Sequence, residues 1–178
     1  MEPSESLRLV VKPPRRCNAK ELAAFSQLVR KGGEVNVLFL KEGLRRAYSL
    51  GFCYAGARLV GVAALKHSDL GHQNDVFQRA GVPNLAAQYQ QEIGYVCVDE
   101  DFRRQGICSR LVQELLGKAD DVVFASARVR NMKMISILRG FGFRPLGHRF
   151  IGRHKRDGRY YVQLFVLEKE KKERKDLS

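Results

Sequence analysis

The chain has 178 residues, of which 44% are hydrophobic, so it is long and apolar enough to bury the core of one domain. It contains no apolar run of 18 residues or more and begins without the apolar core of a secretion signal, so we expect neither a membrane span nor export. The formal net charge of +13 favours anionic partners. Cysteines at positions 17, 53, 97 and 108 form no Cys-x-x-Cys pair, which predicts no metal site, no disulfide framework and a cytoplasmic location.

Apolar patterning over the first 65 residues predicts one strand, two helices and a hairpin. Asn18 and Glu21 have the spacing of a capping box at the start of the first helix, and Gly32-Gly33 ends it. The predicted elements are, in order, a strand over 7–11, a helix after Asn18, a helix over 37–50 that ends at Gly51, and hairpin strands over 52–57 and 58–65.

Residues 66–91 are mixed and polar, and we interpret them as a long loop with room for one short helix. The elements predicted after this loop are a strand over 92–98, a loop over 99–105, a helix over 106–118, a strand over 122–129, a helix between Asn131 and Gly140, and strands over 143–151 and 160–167. Residues 168–178 carry five basic and four acidic side chains and are predicted to form a charged tail after a single domain of residues 1–167.

The stretch from the strand 92–98 into the following helix is the most informative part of the chain. The apolar run ends at an acidic turn, and Arg103-Arg104-Gln105-Gly106 then leads directly into a helical pattern. The first N–H groups of a helix have no partner inside it, so a loop in this place forms an anion site. Arg103 and Arg104 add charge of the matching sign, and the pattern therefore predicts a loop that binds a pyrophosphate.

This loop and the order of elements resemble the GNAT superfamily of acyl-CoA-dependent N-acyltransferases over roughly residues 7–167. The family's loop reads Arg/Gln-x-x-Gly-x-Gly/Ala, and residues 103–108 match it except that Cys108 takes the last position. The segment from Asn131 to Gly142-Phe143 is similar to a family helix that begins at an asparagine and ends in Gly-Phe. The resemblance implies an α/β (α+β) fold: a mixed, mostly antiparallel twisted sheet, helices on both faces and a splayed cofactor cleft at the central strand.

The resemblance also implies that acetyl-CoA is the co-substrate. The strand 92–98 would line the pantetheine arm and lend an amide that polarises the thioester carbonyl, and the loop would hold the pyrophosphate. Asn131 would contact the pantetheine or adenosine side. The cofactor-binding residues so implied are Val96, Cys97, Val98, Arg103, Arg104, Gln105, Gly106, Ile107, Cys108, Ser109 and Asn131.

Two catalytic roles follow from the resemblance. Glu92 is the leading candidate for the base that deprotonates the acceptor ammonium, because several family members place a glutamate at this end of the strand; a strand cap or an arginine partner is the alternative. His67 and His72, in the loop on the acceptor side, are further candidate bases or plain surface residues. Cys108 as a covalent nucleophile is disfavoured by its place in the phosphate loop.

Many family members protonate the leaving CoA thiolate with a tyrosine four residues before the glycine of Gly-Phe, where this chain has Leu138. Tyr95 or Tyr89 could replace that hydroxyl, although sheet packing is the simpler interpretation of Tyr95. Solvent could also supply the proton, because a thiol pKa of about 8.5 makes the thiolate a tolerable leaving group.

The segment 139–159 holds seven basic side chains and one acidic one. In the resembled architecture it flanks the acceptor cleft, which favours an anionic or nucleic-acid-associated acceptor, such as an aminoacyl-tRNA or a modified base. A small-molecule or protein amine, a CoA-binding module without catalysis, and a pure nucleic-acid binder are the alternatives. The oligomeric state stays open, with a homodimer among the options.

Overall fold

The computed structural model describes residues 6–33, 39–120, 122–152 and 158–168, and within these ranges seven strands form one sheet. The strands are β1 (Leu7–Lys12), β2 (Ala47–Ala55), β3 (Arg58–His67), β4 (Gln91–Val98), β5 (Val122–Arg128), β6 (Arg144–Ile151) and β7 (Tyr161–Glu168). The helices are α1 (Ala19–Gly32), α2 (Leu40–Arg45), α3 (Leu70–Arg79), α4 (Ile107–Leu116) and α5 (Met132–Gly140). None of the helices in the described ranges is long and apolar enough to cross a bilayer.

The sheet has the order β1-β2-β3-β4-β5-β7-β6, and each pair of neighbours is antiparallel except β4 and β5. Those two parallel strands pair only at their first residues, Gln91 with Val123 and Glu92 with Phe124. Beyond Glu92 they separate, so the described part of the sheet opens between their carboxyl ends. The predicted mixed sheet with a splay at the central strand is confirmed.

A bulge in β4 adds to this opening. Val62 of β3 pairs with Cys97 and Ala64 pairs with Gly94, so Tyr95 and Val96 together face the single residue between. Tyr95 has a φ of 53°, which is uncommon for a residue with a side chain. The bulge re-aims the main chain of β4 at the point where its pairing with β5 has already ended.

Helices cover both faces of the sheet, as predicted. Neighbouring strand residues point to opposite faces, so Val123 and Ala125 of β5 pack beneath α4 and α5, while Phe124 packs beneath α3. Helices α1 and α2 cover the same face as α3 through a second cluster that includes Phe25, Phe52 and Leu44. The open part of the sheet therefore lies between two helical layers.

Two sequence expectations were wrong. In the described part of the predicted helix over 37–50, only Leu40–Arg45 (α2) is helical, and residues 37 and 38 lie outside the described ranges. Residues from Ala47 onward form β2, which pairs with β1 and β3, and this pairing overrides their helical spacing. Residues 66–91 contain the short helix that the sequence allowed for, α3, which begins with the Asp69 side chain as N-cap. They are not mainly loop, however, because a 3-10 helix also spans Pro83–Gln88.

The described elements begin at Leu7 and end at Glu168. Strand β7 includes Glu168, one residue beyond the predicted boundary, and residues 169–178 of the predicted tail lie outside the described ranges. The basic residues Arg153, Lys155 and Arg156 of segment 139–159 also lie outside them.

Candidate active site

The phosphate loop, residues 103–109, presents unused main-chain donors. Arg104 and Gly106 both have left-handed backbone angles, with φ of 65° and 73°, and Gly106 is the N-cap of α4. The first hydrogen bond of the helix runs from Arg110 N–H to the Gly106 carbonyl at 3.0 Å. Among the described residues, no protein acceptor takes the N–H groups of 104–109. Successive N–H groups of this kind form a concave site for an anion.

The side chains of this loop divide between solvent and core. Arg104 and Gln105 are exposed, whereas Ile107 is 2% exposed and packs into the core against Gly61 of β3, so only its main chain can reach a ligand. Cys108 also packs against the core, and burial raises the pKa of its thiol to about 11. The unexpected cysteine therefore stays neutral and is drawn inward, which leaves the approach to the loop free.

Arg103 is exposed, and its side chain also contacts its own turn. Its Nε donates to the Val98 carbonyl at 3.4 Å, and its guanidinium lies 3.5 Å from the Glu100 carboxylate. These contacts tie the end of β4 to the phosphate loop. Ser109, on the first turn of α4, is half-buried beside this junction.

The predicted cofactor wall, Val96 to Val98, lies on the separated part of β4. Cys97 and Val98 line a narrow crevice with Gly32 of α1. The Cys97 thiol donates to the Leu28 carbonyl at 3.3 Å, and burial raises its pKa, so it is a neutral packing group. From Ile93 to Val98, within the described residues, the β5-facing edge of β4 has no strand partner and can offer its main chain to an extended ligand.

Helix α5 begins just after the carboxyl end of β5, the strand on the other side of the gap. Asn131 is its N-cap, and its side-chain oxygen accepts from Met134 N–H at 3.1 Å, which leaves the amide NH2 for any contact with a cofactor. Leu138, at the position where the family often has a tyrosine, is fully buried in the core. No hydroxyl reaches the gap from that position.

Glu92 lies in a buried group of charges. Its side chain is 5% exposed, and its Oε2 lies 2.8 Å from the Lys66 ammonium and 3.3 Å from His72 Nε2. Both are ion-pair distances, and this oxygen accepts no hydrogen bond from any described residue. Lys66 faces Glu92 across the β3–β4 ladder, and His72 comes from the first turn of α3. Three separate elements thus meet at this carboxylate.

The electrostatics of this group separate the two candidate bases. Burial acts to raise the pKa of Glu92, but the charges of Lys66 and His72 outweigh it and lower that pKa to about 2. Glu92 in turn raises the pKa of His72 through its negative charge. A carboxylate of such low basicity is a weak proton acceptor, whereas an imidazole oriented by a carboxylate is a good one near neutral pH.

Tyr95 extends this group toward α2. The Lys66 ammonium lies 4.6 Å from the centre of the Tyr95 ring, and the hydroxyl of Tyr95 packs against Gly43 of α2, where a Cβ would have no room. Burial raises the pKa of Tyr95, so the phenol keeps its proton at neutral pH. We call Lys66, His72, Glu92 and Tyr95 the Glu92 cluster.

Two further residues considered from the sequence lie apart from the Glu92 cluster. His67 stacks on Tyr48 with ring centres 3.5 Å apart. Tyr89 is buried, and its hydroxyl donates to Glu168 at 2.6 Å; burial and this contact raise its pKa to about 12. Both therefore have evident structural partners.

Sequence reasoning missed Lys66, the residue closest to the Glu92 carboxylate. The sequence indicated that Lys66 directly follows the predicted strand over 58–65. Its position opposite Glu92, however, depends on the pairing register of β3 with β4, which shifts at the β4 bulge. It also missed Arg128, a buried residue at the end of β5 that donates to the Gly33 carbonyl at 3.4 Å and covers the Tyr160 ring at 4.2 Å.

Comparison with known proteins identifies the family. A model of the acetyltransferase (GNAT) family matches residues 29–143, well over half of the chain. No curated protein matches the sequence.

Solved structures share the fold. NAA60 from Arabidopsis thaliana, in complex with a bisubstrate analogue, has a TM-score of 0.67 at 16% identity, over 92% of this chain and 99% of that one. YncA from Salmonella typhimurium, a putative acetyltransferase with its cofactor acetyl-CoA, has a TM-score of 0.64 at 14% identity, over 93% and 95% of the two chains. The family match over residues 29–143, which contains the splayed strand and the phosphate loop, shows that this chain belongs to the acetyltransferase (GNAT) family and is an acyltransferase.

Proposed function

We propose that this protein transfers the acetyl group of acetyl-CoA to an amine on an anionic or nucleic-acid-associated acceptor. The observation that carries the transferase part is the row of open N–H groups at 104–109 beside the unpaired edge of β4. Because those donors have no protein acceptor in the described structure, they fit a diphosphate.

The residues in this gap would divide the cofactor between them. The main chain of 104–109, with the charges of Arg103 and Arg104, holds the pyrophosphate, and Val96 to Val98 align the pantetheine arm. The Asn131 amide contacts the arm from the other side of the gap. When bound, the co-substrate supplies an activated acetyl group as a thioester; an N–H of 96–98 polarises its carbonyl.

Proton transfer falls to the Glu92 cluster. We propose that Glu92 acts through His72: the carboxylate orients the imidazole, and the imidazole removes the proton from the acceptor ammonium. Lys66 keeps Glu92 ionised. Tyr95 is the donor we assign to the leaving thiolate, because its phenol is protonated and it lies in the β4 bulge.

Charge supports the acceptor class. The net charge of +13 would repel a polyamine and attract an anion. Within segment 139–159, Arg144 is paired with Glu168 at 2.8 Å, whereas Arg149 and Arg159 line an open cleft. All four cysteines lie in the described ranges and are free thiols, which is consistent with the predicted cytoplasmic location.

The test is in two steps. Isothermal titration with acetyl-CoA measures cofactor binding, and intact-mass analysis then reads acetylation across a panel of RNA, DNA, peptides and small amines. We expect saturable binding and products confined to anionic acceptors. No binding at high micromolar acetyl-CoA would refute the transferase, and binding without any product would favour a module that keeps CoA but has lost catalysis, as the loss of the tyrosine at Leu138 would allow.

A further inference from the structure

A second concave surface lies next to the gap between β4 and β5. It is a cleft of about 560 Å³ where β5 has just ended and β7 begins, beside β6. Its lining residues are Val129, Arg130, Arg149, Arg159, Tyr160 and Tyr161, and we call it the arginine cleft. Because β4 and β5 separate toward their carboxyl ends, it opens at the same end of the sheet as the cofactor gap.

The arginine cleft is strongly cationic. Its described lining contains three guanidinium groups and no carboxylate. Arg149 and Arg159 form no ion pair with any described residue, in contrast with Arg144 on the same strand β6, which is paired with Glu168. Guanidinium groups present planar, forked donors that match phosphate better than an ammonium does. The chemistry of this surface therefore fits phosphate.

The arginine cleft also contains two tyrosine rings, which binding of a phosphate alone would not require. One face of the Tyr160 ring is covered by the Arg128 guanidinium at 4.2 Å, and Arg128 is itself held in the interior by Gly33. The neighbouring Tyr161 is 55% exposed, a large exposure for an aromatic side chain. Grooves that combine arginines with exposed aromatic rings bind nucleotides by pairing with phosphates and stacking on bases.

Arg128 connects this surface to the reaction site. It reaches from the end of β5 to the C-cap of α1, and the preceding Gly32 of α1 packs against the Cys97 thiol of β4. These contacts link the Tyr160 ring of the arginine cleft, through Arg128 and the end of α1, to the Cys97 side of the cofactor gap.

We infer that the arginine cleft binds a nucleotide unit of a single-stranded nucleic-acid acceptor, with its phosphates on Arg130, Arg149 and Arg159 and a base stacked on Tyr161. This inference rests on the proposed transferase function and narrows its acceptor to one class. A phosphorylated peptide would use the arginines but leave the tyrosine without a role.

The test measures binding of a fluorescein-labelled single-stranded RNA to the full-length protein by anisotropy. The triple variant Arg130→Gln/Arg149→Gln/Arg159→Gln is compared with Arg15→Gln/Arg16→Gln/Lys20→Gln, which removes the same charge from exposed positions near the opposite edge of the sheet. We expect the cleft variant to weaken binding by about tenfold or more and to flatten its salt dependence, and the control to change it by less than about twofold.

A single substitution tests the stacking. Tyr161→Ala should weaken binding of the RNA by about fivefold or more, while binding of an abasic strand of equal length and charge should not change. Tyr161→Phe keeps the ring and should bind like the wild type. Equal loss for both strands would mean that Tyr161 does not stack on a base, and this would overturn the assignment.

Other outcomes overturn the inference without touching the transferase proposal. Equal losses in the two triple variants would mean diffuse charge attraction. Better competition by a phosphopeptide than by RNA would assign the surface to protein. If the cleft variant binds acetyl-CoA more weakly than the wild type does but binds acetyl-dephospho-CoA equally well, the arginines bind the 3′-phosphate of the cofactor instead. Acetyl-CoA titration of the wild type is read separately, so a failure of cofactor binding is distinguishable from a failure of the cleft.

Discussion

The phosphate loop and the Glu92 cluster lie at the two ends of the same strand, β4, and are built on different principles. The loop uses main-chain groups of consecutive residues, fixed by left-handed angles at Arg104 and Gly106 and by the start of α4. The cluster uses side chains from β3, α3 and β4 that are far apart in the sequence. A backbone site depends on local conformation, whereas a side-chain site depends on how elements pack.

This difference predicts different responses to substitution. A change in the loop should alter ligand affinity with little effect on the fold, because its donors face outward. A change in the cluster should alter stability first, because its charges are buried and compensate one another. The substitutions below test this contrast, from the largest expected effect to the smallest.

Removing Lys66 should have the largest effect. Lys66→Met leaves the buried Glu92 carboxylate without its closest cation, and breaking a buried pair from one side costs about 3–5 kcal/mol of unfolding free energy. Urea denaturation measures this cost. The double variant Lys66→Met/Glu92→Gln should recover much of it, because the uncompensated charge is gone. Lys12→Met breaks the more exposed pair with Glu21 and should cost less than about 1 kcal/mol.

Gly106→Glu should weaken acetyl-CoA binding by about 100-fold or more, while the unfolding free energy falls by only about 1–2 kcal/mol for a side chain in the left-handed region. The introduced carboxylate would lie at the open N–H groups and repel the pyrophosphate of acetyl-CoA. Gly106→Ala carries the same backbone strain without charge and is the matched control, which calorimetry should find within about fivefold of the wild type. Unchanged affinity in Gly106→Glu would refute the loop assignment.

The pH dependence of kcat/KM should report His72 rather than Glu92. Glu92 raises the pKa of His72 above the usual histidine value of about 6.5. The imidazole therefore becomes neutral, and able to accept a proton, only as the pH rises above that usual pKa. Activity should therefore rise with pH through that region. Glu92→Gln should shift this limb to lower pH, since the carboxylate that raises the pKa of His72 is lost.

His72→Gln should remove this limb and lower kcat about 100-fold, leaving only the titration of the acceptor amine. A kcat that stays near the wild-type value in His72→Gln, together with a rate that collapses in Glu92→Gln, would make Glu92 the direct base. The pKa of Glu92, about 2, would then place its own limb well below the measured range.

Asn131→Ala should have the smallest effect, a loss of about 1 kcal/mol from the α5 cap together with weaker acetyl-CoA binding. Asn18→Ala removes the equivalent cap of α1, away from the phosphate loop, and is the control for the first loss. Both variants should lose similar stability in thermal denaturation, and only Asn131→Ala should lose cofactor affinity. Equal cofactor affinity in the two variants would leave Asn131 with a capping role alone.

Local chemistry made much of the fold predictable from the sequence. The capping box at Asn18 and Glu21 is present with both hydrogen bonds at 2.9 Å, and the strand, loop and helix around Gly106 lie where predicted. Residues 47–51 show where local reasoning fails. Their spacing favours a helix, yet pairing with strands on both sides makes them part of β2.

The sequence by itself determined the backbone features: the left-handed glycine, the helix start after it, and the apolar alternation that places β4 in the sheet. Such features depend on interactions within a few residues, so their signals are contiguous. Only the tertiary structure decided that Lys66 and His72 meet at Glu92, that Leu138 is buried, and that Arg130, Arg149 and Arg159 share one cleft. Strand register, a bulge and the packing of α3 set those contacts, and each is fixed by long-range burial that no short stretch of sequence encodes.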